Sequence, residues 1–179
     1  DPDSDRVGIK VKNRTGSYVF LTGNQIGCLM LEYILSQKSL KRALPNKGFI
    51  VKTIVSTKLA NLIAEKYNIE VEEVLTGFKF IGEKIRVLDE FGDKKYLFGF
   101  EESYGYLIGT YARDKDAVSA SMMIAEMGAY YKSKGMLLLD ALEKLYEKYG
   151  YAAEDVVSFT LEGKEGLAKI KAIMQKLRE

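Results

Sequence analysis

The chain contains no histidine, so the residue that most often moves protons near neutral pH, and most often ligates transition metals, is missing. Zinc-hydrolase and Ser-His-Asp readings fail at once. A single cysteine, Cys28, excludes an internal disulfide framework. It falls between Ile26 and Leu29 in a helical pattern, which predicts a buried, reduced thiol rather than a nucleophile. There is no apolar run of membrane-spanning length and no signal peptide, so the expectation is a soluble, cytoplasmic protein without a membrane partner. Charge of one sign is also lacking. The 27 basic and 25 acidic residues nearly cancel and form no long run, which argues against a nucleic-acid partner. The segment Gly23-Asn24-Gln25-Ile26-Gly27 lacks the Gly-Lys-Ser/Thr ending of a phosphate loop, and no dinucleotide fingerprint occurs.

What is present suits a folded domain: 179 residues, 47% of them hydrophobic, can bury a core. The chain starts in an acidic cluster without an initiator Met, and is read as a piece of a larger protein. Residues 7–11 alternate as a strand does, residues 13–17 supply a turn, and residues 18–21 form a second short strand. From Gly23, the recurrence of Ile26, Leu29, Met30, Tyr33 and Ile34 predicts a helix to about Ser36. Strands are expected over 49–55, 71–75 and 96–100. Helices are expected from Ser56-Thr57, over about 78–89, from Asp114 or Asp116, and over 138–149. The helix after Asp116 has an inner face of Ala117, Ala120, Ser121, Ile124, Met127, Gly128 and Tyr131, whose small residues imply close packing. A last strand near 156–161 precedes a helix carrying Leu167, Ile170, Met174 and Leu177. This alternation predicts a layered α/β domain whose mixed, mostly parallel sheet is flanked by helices, with its site at the carboxyl ends of the strands.

Three segments carry possible chemistry. Asp1-Pro2-Asp3-Ser4-Asp5-Arg6 sets carboxylates at every second position, from which they can converge on one hard cation such as Mg2+; the alternative is a solvated acidic terminus. Arg6 beside such a site can steer a phosphate. In Gly99-Phe100-Glu101-Glu102-Ser103-Tyr104-Gly105, two acids and a hydroxyl follow a strand and can meet vicinal sugar hydroxyls, or form an ordinary charged loop. Arg113-Asp114-Lys115-Asp116 lies at a helix start, where it can hold an anion or simply cap the helix.

Taken in order, these segments resemble the α-D-phosphohexomutase family of phosphoglucomutases and phosphomannomutases. Residues 1–6 look like its metal loop, residues 21–27 like the start of its third domain, Phe100-Glu101-Glu102-Ser103 like its sugar loop, and residues 113–116 like the segment that follows. The resemblance implies that Asp1, Asp3 and Asp5 ligate magnesium, and that Glu101 and Ser103 contact sugar hydroxyls. Lys115 and Arg113 would stand on the substrate side, with Thr76, Gly77 and Lys79 as a further substrate turn. Phe100 departs from the glycine more common in that loop, which leaves the sugar open. The expected domains are the metal loop and end of a second domain (1–16), a third, sugar-recognition domain (17–150), and an extension toward a fourth (151–179). The implied parent interconverts hexose 1-phosphate and 6-phosphate through a phosphoserine and a bisphosphorylated sugar. Its serine loop is not in this sequence, so the fragment is expected to be inactive alone, with the parent's remaining domains and a phosphorylated sugar as partners. A phosphopentomutase of the same family, a free-standing metal- and sugar-binding module, and a purely structural interaction domain are the alternatives.

Overall fold

A computed structural model describes residues 1–155 and 160–178. The element order is β1 (Lys10–Lys12), β2 (Tyr18–Phe20), α1 (Gly23–Leu40), β3 (Gly48–Thr53), α2 (Leu59–Lys66), β4 (Glu70–Val74), α3 (Phe78–Ile85), β5 (Lys95–Glu101), β6 (Gly105–Leu107), α4 (Ala117–Ser133), α5 (Leu138–Tyr149) and α6 (Gly163–Lys176). A π-helical turn, Arg86–Glu90, extends α3. The main sheet has the order β4-β3-β5-β6. Strand β3 runs parallel to both neighbours and β6 is antiparallel to β5, giving the expected mixed, mostly parallel sheet.

Both faces of this sheet are covered, which is why β3 is buried along its whole length instead of alternating. Phe49, Val51, Tyr96 and Leu107 meet α3 on one face. Ile50, Phe98, Phe100 and Tyr106 join the core formed with α1, α2, α4 and α5 on the other. Tyr96 and Phe98, two residues apart, reach opposite faces because the β3–β5 register slips between Phe49 and Ile50, making Leu97 an extra residue. Strand β4 lies at the sheet edge and is half polar, with Glu72 paired to Lys84 at 2.8 Å.

Local signals set the helix starts. Thr22 and Gln25 form a reciprocal capping box on α1, and Asp116 accepts the Val118 and Ser119 amides on α4. Asp140 accepts the Leu137 amide at the start of α5. Helix α1 runs four residues beyond the expected end at Ser36, because nothing breaks it before Lys41 and the left-handed Arg42. The expected strand over 7–11 shortens to β1, paired antiparallel with β2. The short strand β6 was not anticipated, since Gly-Tyr-Leu is too brief to show a period. The close packing expected around Gly128 is absent: a Cβ there would meet no atom within 4 Å, and Ser121 is exposed. The expected strand near 156–161 lies largely outside the described residues. Helix α6 exposes Leu167, Ile173 and Met174, and Leu177 just after it is exposed as well. Among the described residues no helix is long and apolar enough to cross a membrane.

Candidate functional site

The parallel strands β3, β4 and β5 end on the same side, and the loops after them meet the start of α1, the start of α4 and the chain's first residues. Residues 4–7 are fixed there by the backbone. Arg6 bridges Gly105 in antiparallel fashion, the Val7 amide donates to the Tyr104 carbonyl (3.2 Å), and the Ala117 amide donates to the Ser4 carbonyl (2.9 Å). The acidic loop, the glutamate pair and the start of α4, distant in sequence, are therefore neighbours.

Glu101 closes β5 and is only 5% exposed. Its Oε1 is buried and meets no hydrogen-bond donor among the described residues; the nearest cation is Arg6, 3.7 Å away. Gly105 makes room for this carboxylate, since a Cβ there would come within 2.8 Å of both Glu101 Oε1 and Lys115 Cδ. Lys115 reaches across with its Nζ 2.7 Å from Asp5 and 3.2 Å from Asp114. Burial alone would lower its pKa, but the hydrogen bonds to Asp5 and Asp114 outweigh it and raise the ammonium above the ordinary lysine value. The same Nζ stands 5.9 Å over the Phe78 ring, which brings the Thr76-Gly77 turn alongside.

Of the other expected residues, Ser103 sits half-buried in the turn beyond Glu102. The turn's left-handed residue is Tyr104 (φ 68°) rather than one of the flanking glycines, and Ser4 (φ 59°) does the same in the acidic loop. Non-glycine residues in this region store strain that surrounding contacts must hold. Gly77 caps α3 at φ 113°, Thr76 is exposed, and Lys79 lies over the Phe80 ring at 4.9 Å. Arg113 is not brought into this group: its guanidinium donates to the Ala112 and Thr110 carbonyls and to Glu90 (3.2 Å).

The three aspartates do not converge as folded. Asp1 Oδ1 accepts the amides of Asp5 and Arg6 (2.9 and 3.1 Å), while Asp5 is turned to Lys115. Among the described residues no three acidic or sulfur side chains stand close enough to hold one ion. Asp1 and Arg6 line one wall of a cleft of about 290 Å3 whose other wall includes Phe20 and Tyr104. A larger cleft, about 700 Å3, opens at the amino-terminal ends of β3 and β4, away from all of these groups.

A second polar cluster at the same strand ends went unnoticed in the sequence. Lys52, 1% exposed, pairs with Glu73 at 3.0 Å and donates to the Ser56 carbonyl. Buried Thr53 and Ser56 both donate to Glu102. The signal was a lone lysine in an otherwise apolar strand, which must be paired if buried.

Residues 22–149 match the family model described as phosphoglucomutase/phosphomannomutase, alpha/beta/alpha domain III. A phosphoglucomutase of Staphylococcus aureus is 43% identical over 178 residues, covering 99% of this chain. The chain spans 31% of the length of that relative. Among solved structures, the open form of the Paramecium phosphoglucomutase parafusin superposes with a TM-score of 0.62 at 20% identity, over 84% of this chain and 24% of that one. The Aspergillus fumigatus N-acetylphosphoglucosamine mutase, in complex with GlcNAc-6P and magnesium, gives 0.56 at 15% identity, over 82% of this chain and 31% of its own. At these identities the structures show the shared fold. The family match over residues 22–149 shows that this chain belongs to the phosphoglucomutase/phosphomannomutase family and carries its α/β/α domain III.

Proposed function

We propose that the chain is the sugar-recognition part of a mutase that interconverts hexose 1-phosphate and hexose 6-phosphate, and that it needs the rest of the parent enzyme to act. The observation that carries this reading is the buried Oε1 of Glu101, which meets no donor among the described residues. A carboxylate oxygen held out of water without a donor is costly, and a ligand hydroxyl can supply what is missing. Ser103, two residues on, offers a hydroxyl that can donate or accept. Together they suit adjacent hydroxyls of a sugar ring. Lys115 and Arg6 supply positive charge beside them, suited to the phosphate of the same ligand.

Asp1, Asp3 and Asp5 would hold magnesium. The donor set fits a hard cation, and Asp1 keeps a second carboxylate oxygen beyond the one given to the Asp5 and Arg6 amides. When bound, magnesium stabilises the negative charge of a phosphoryl group in transfer. The chain's own share is to orient the sugar through Glu101 and Ser103, and to keep its phosphate near Lys115. The reaction itself, through a phosphoserine and a bisphosphorylated sugar, belongs to the whole parent.

The test is a coupled assay of the full-length protein on glucose 1-phosphate, mannose 1-phosphate and ribose 1-phosphate. The expected result is turnover of a hexose phosphate, with Glu101→Ala and Ser103→Ala each lowering kcat/KM about 10- to 100-fold, the range expected for losing one hydrogen bond involving a charged or directed partner. Preference for the pentose would overturn the hexose assignment. Unchanged kinetics in both variants would remove these residues from the site.

A further inference from the structure

We infer that Thr53 and Ser56, at the end of β3, are positioning residues for the sugar loop, acting through Glu102; this rests on the sugar-recognition reading of Glu101 and Ser103. Glu102 lies between those two residues and is turned to a different task. Its Oε2 accepts from Thr53 Oγ1 at 2.9 Å and from Ser56 Oγ at 3.4 Å, and the two hydroxyls are 2.7 Å apart. Thr53 is fully buried and Ser56 is 4% exposed, so the donor ends of these bonds are shielded from water, although the Glu102 carboxylate is only half-buried. The Ser56 amide donates back to the Thr53 carbonyl (3.0 Å), which makes the pair one rigid turn.

The loop is held from its other side as well. The Glu102 carbonyl packs so tightly on the start of α1 that a Cβ at Gly23 would stand 2.0 Å from its oxygen. Glu102 is thus gripped by side chain and backbone, in a loop whose next turn contains the strained Tyr104. An unstrained alternative is always open to such a loop unless contacts oppose it. The Thr53–Ser56 pair is one side-chain contact that does so, and through Glu102 it holds the register in which Glu101 and Ser103 are presented. Displacing a positioned binding group by about 1 Å is enough to cost a large factor in rate.

The experiment uses the full-length protein. Thr53→Val keeps the shape and removes the hydroxyl, Thr53→Ser keeps the hydroxyl, and Ser56→Ala is the milder companion. The expected result for Thr53→Val is a KM for the hexose phosphate raised about tenfold, the effect of one charge-assisted hydrogen bond, with Thr53→Ser close to wild type. Combined with Glu102→Ala, Thr53→Val should add little, because both break the same link. Independent, additive losses would overturn the inference, as would wild-type kinetics in Thr53→Val. Hydrogen exchange of the amides over residues 101–107, without substrate, gives a second readout. It should quicken in Thr53→Val and Ser56→Ala but not in Thr53→Ser. Unchanged exchange would refute the positioning role even where no sugar phosphate is turned over, whereas lack of turnover by the wild type would refute only the functional reading.

Discussion

Two glycines on helices should respond to the same substitution with opposite signs. At Gly23, the first residue of α1, an added methyl would stand 2.0 Å from the Glu102 carbonyl oxygen, 2.8 Å from its carbon and 3.0 Å from the Tyr104 amide nitrogen. All three are backbone atoms, so no side chain can rotate away. Relief requires moving the start of α1 off the loop by more than an ångström, against the capping box and the Tyr106 hydroxyl that donates to the Gly23 carbonyl. Overpacking of this kind costs about 1–3 kcal/mol, and this contact belongs at the upper end, about 2–3 kcal/mol. For a domain of this size that lowers Tm by about 4–12 °C, at roughly 2–4 °C per kcal/mol. A Cβ on Gly128, inside α4, would meet nothing within 4 Å among the described residues, so alanine there gains only the helix-propensity term and should stabilise by about 0.5–1 kcal/mol. Thermal melting of Gly23→Ala and Gly128→Ala by circular dichroism compares the two directly. Gly23→Ala as stable as wild type would show that the α1–loop contact is looser than drawn, and a destabilised Gly128→Ala would contradict the open surroundings of that position.

Other positions give sharper single tests. Asp116 caps α4 through the Val118 and Ser119 amides, so Asp116→Ala should cost about 1 kcal/mol in chemical denaturation and Asp116→Asn distinctly less; equal losses would point to the Tyr111 hydroxyl contact instead. Asp140 has its pKa lowered, first by the Leu137 amide and then by Arg14. Its contribution is present above the unfolded carboxylate value of about 3.9 and is lost as pH falls through the lower folded value. The melting temperature of the wild type should therefore fall more steeply below about pH 4 than that of Asp140→Asn, and parallel curves would refute the assignment. Arg14→Ala at neutral pH should leave the melting temperature close to that of the wild type, since the Arg14 guanidinium is exposed and its pairing is screened by solvent.

How far the sequence could be read depended on whether a feature leaves a periodic trace. The runs over β3 and β5 are long, β-branched or aromatic, and buried on both faces, so their composition alone marks them as strands. The acids and hydroxyl after β5 are visible as a pattern, but that pattern also fits an ordinary charged loop, and only the family resemblance singles out Glu101 and Ser103 for a sugar. The strand β6 and the bulge at Leu97 left no such trace, since both are fixed by pairing with residues elsewhere in the sheet. Thr53 and Ser56 were hidden for a different reason. Hydroxyls between a strand and a helix look like a cap, and only the return of Glu102 from 46 residues away along the chain reveals their partner. Arg113 reads as a basic group beside Lys115, yet it faces Glu90, a pairing across the end of the π-helical turn that neighbouring residues do not announce.

The acidic loop shows how much of the site is tertiary rather than local. The antiparallel bridge at Arg6–Gly105, with its Val7–Tyr104 bond, and the Ala117–Ser4 bond tie residues 4–7 to residues 104–117 through the backbone, and these need no particular side chain at Asp1, Asp3 or Asp5. The loop's place is therefore set without the Lys115–Asp5 pair. That pair is not explained by stability either, for an ion pair whose lysine is 11% exposed loses in desolvation much of what it gains in attraction. Its geometry is better understood through charge. One ammonium spans Asp5 of the acidic loop and Asp114 of the segment before α4, within one side chain's reach of the buried Glu101. Two carboxylates from two parts of the chain thus pair with a single lysine, while the third, Glu101, has Arg6 at 3.7 Å as the cation paired to it among the described residues. On the proposed sugar-phosphate reading, neutralising Lys115 would leave those carboxylates to repel one another and any phosphate brought among them, so its loss should weaken phosphate binding more than folding.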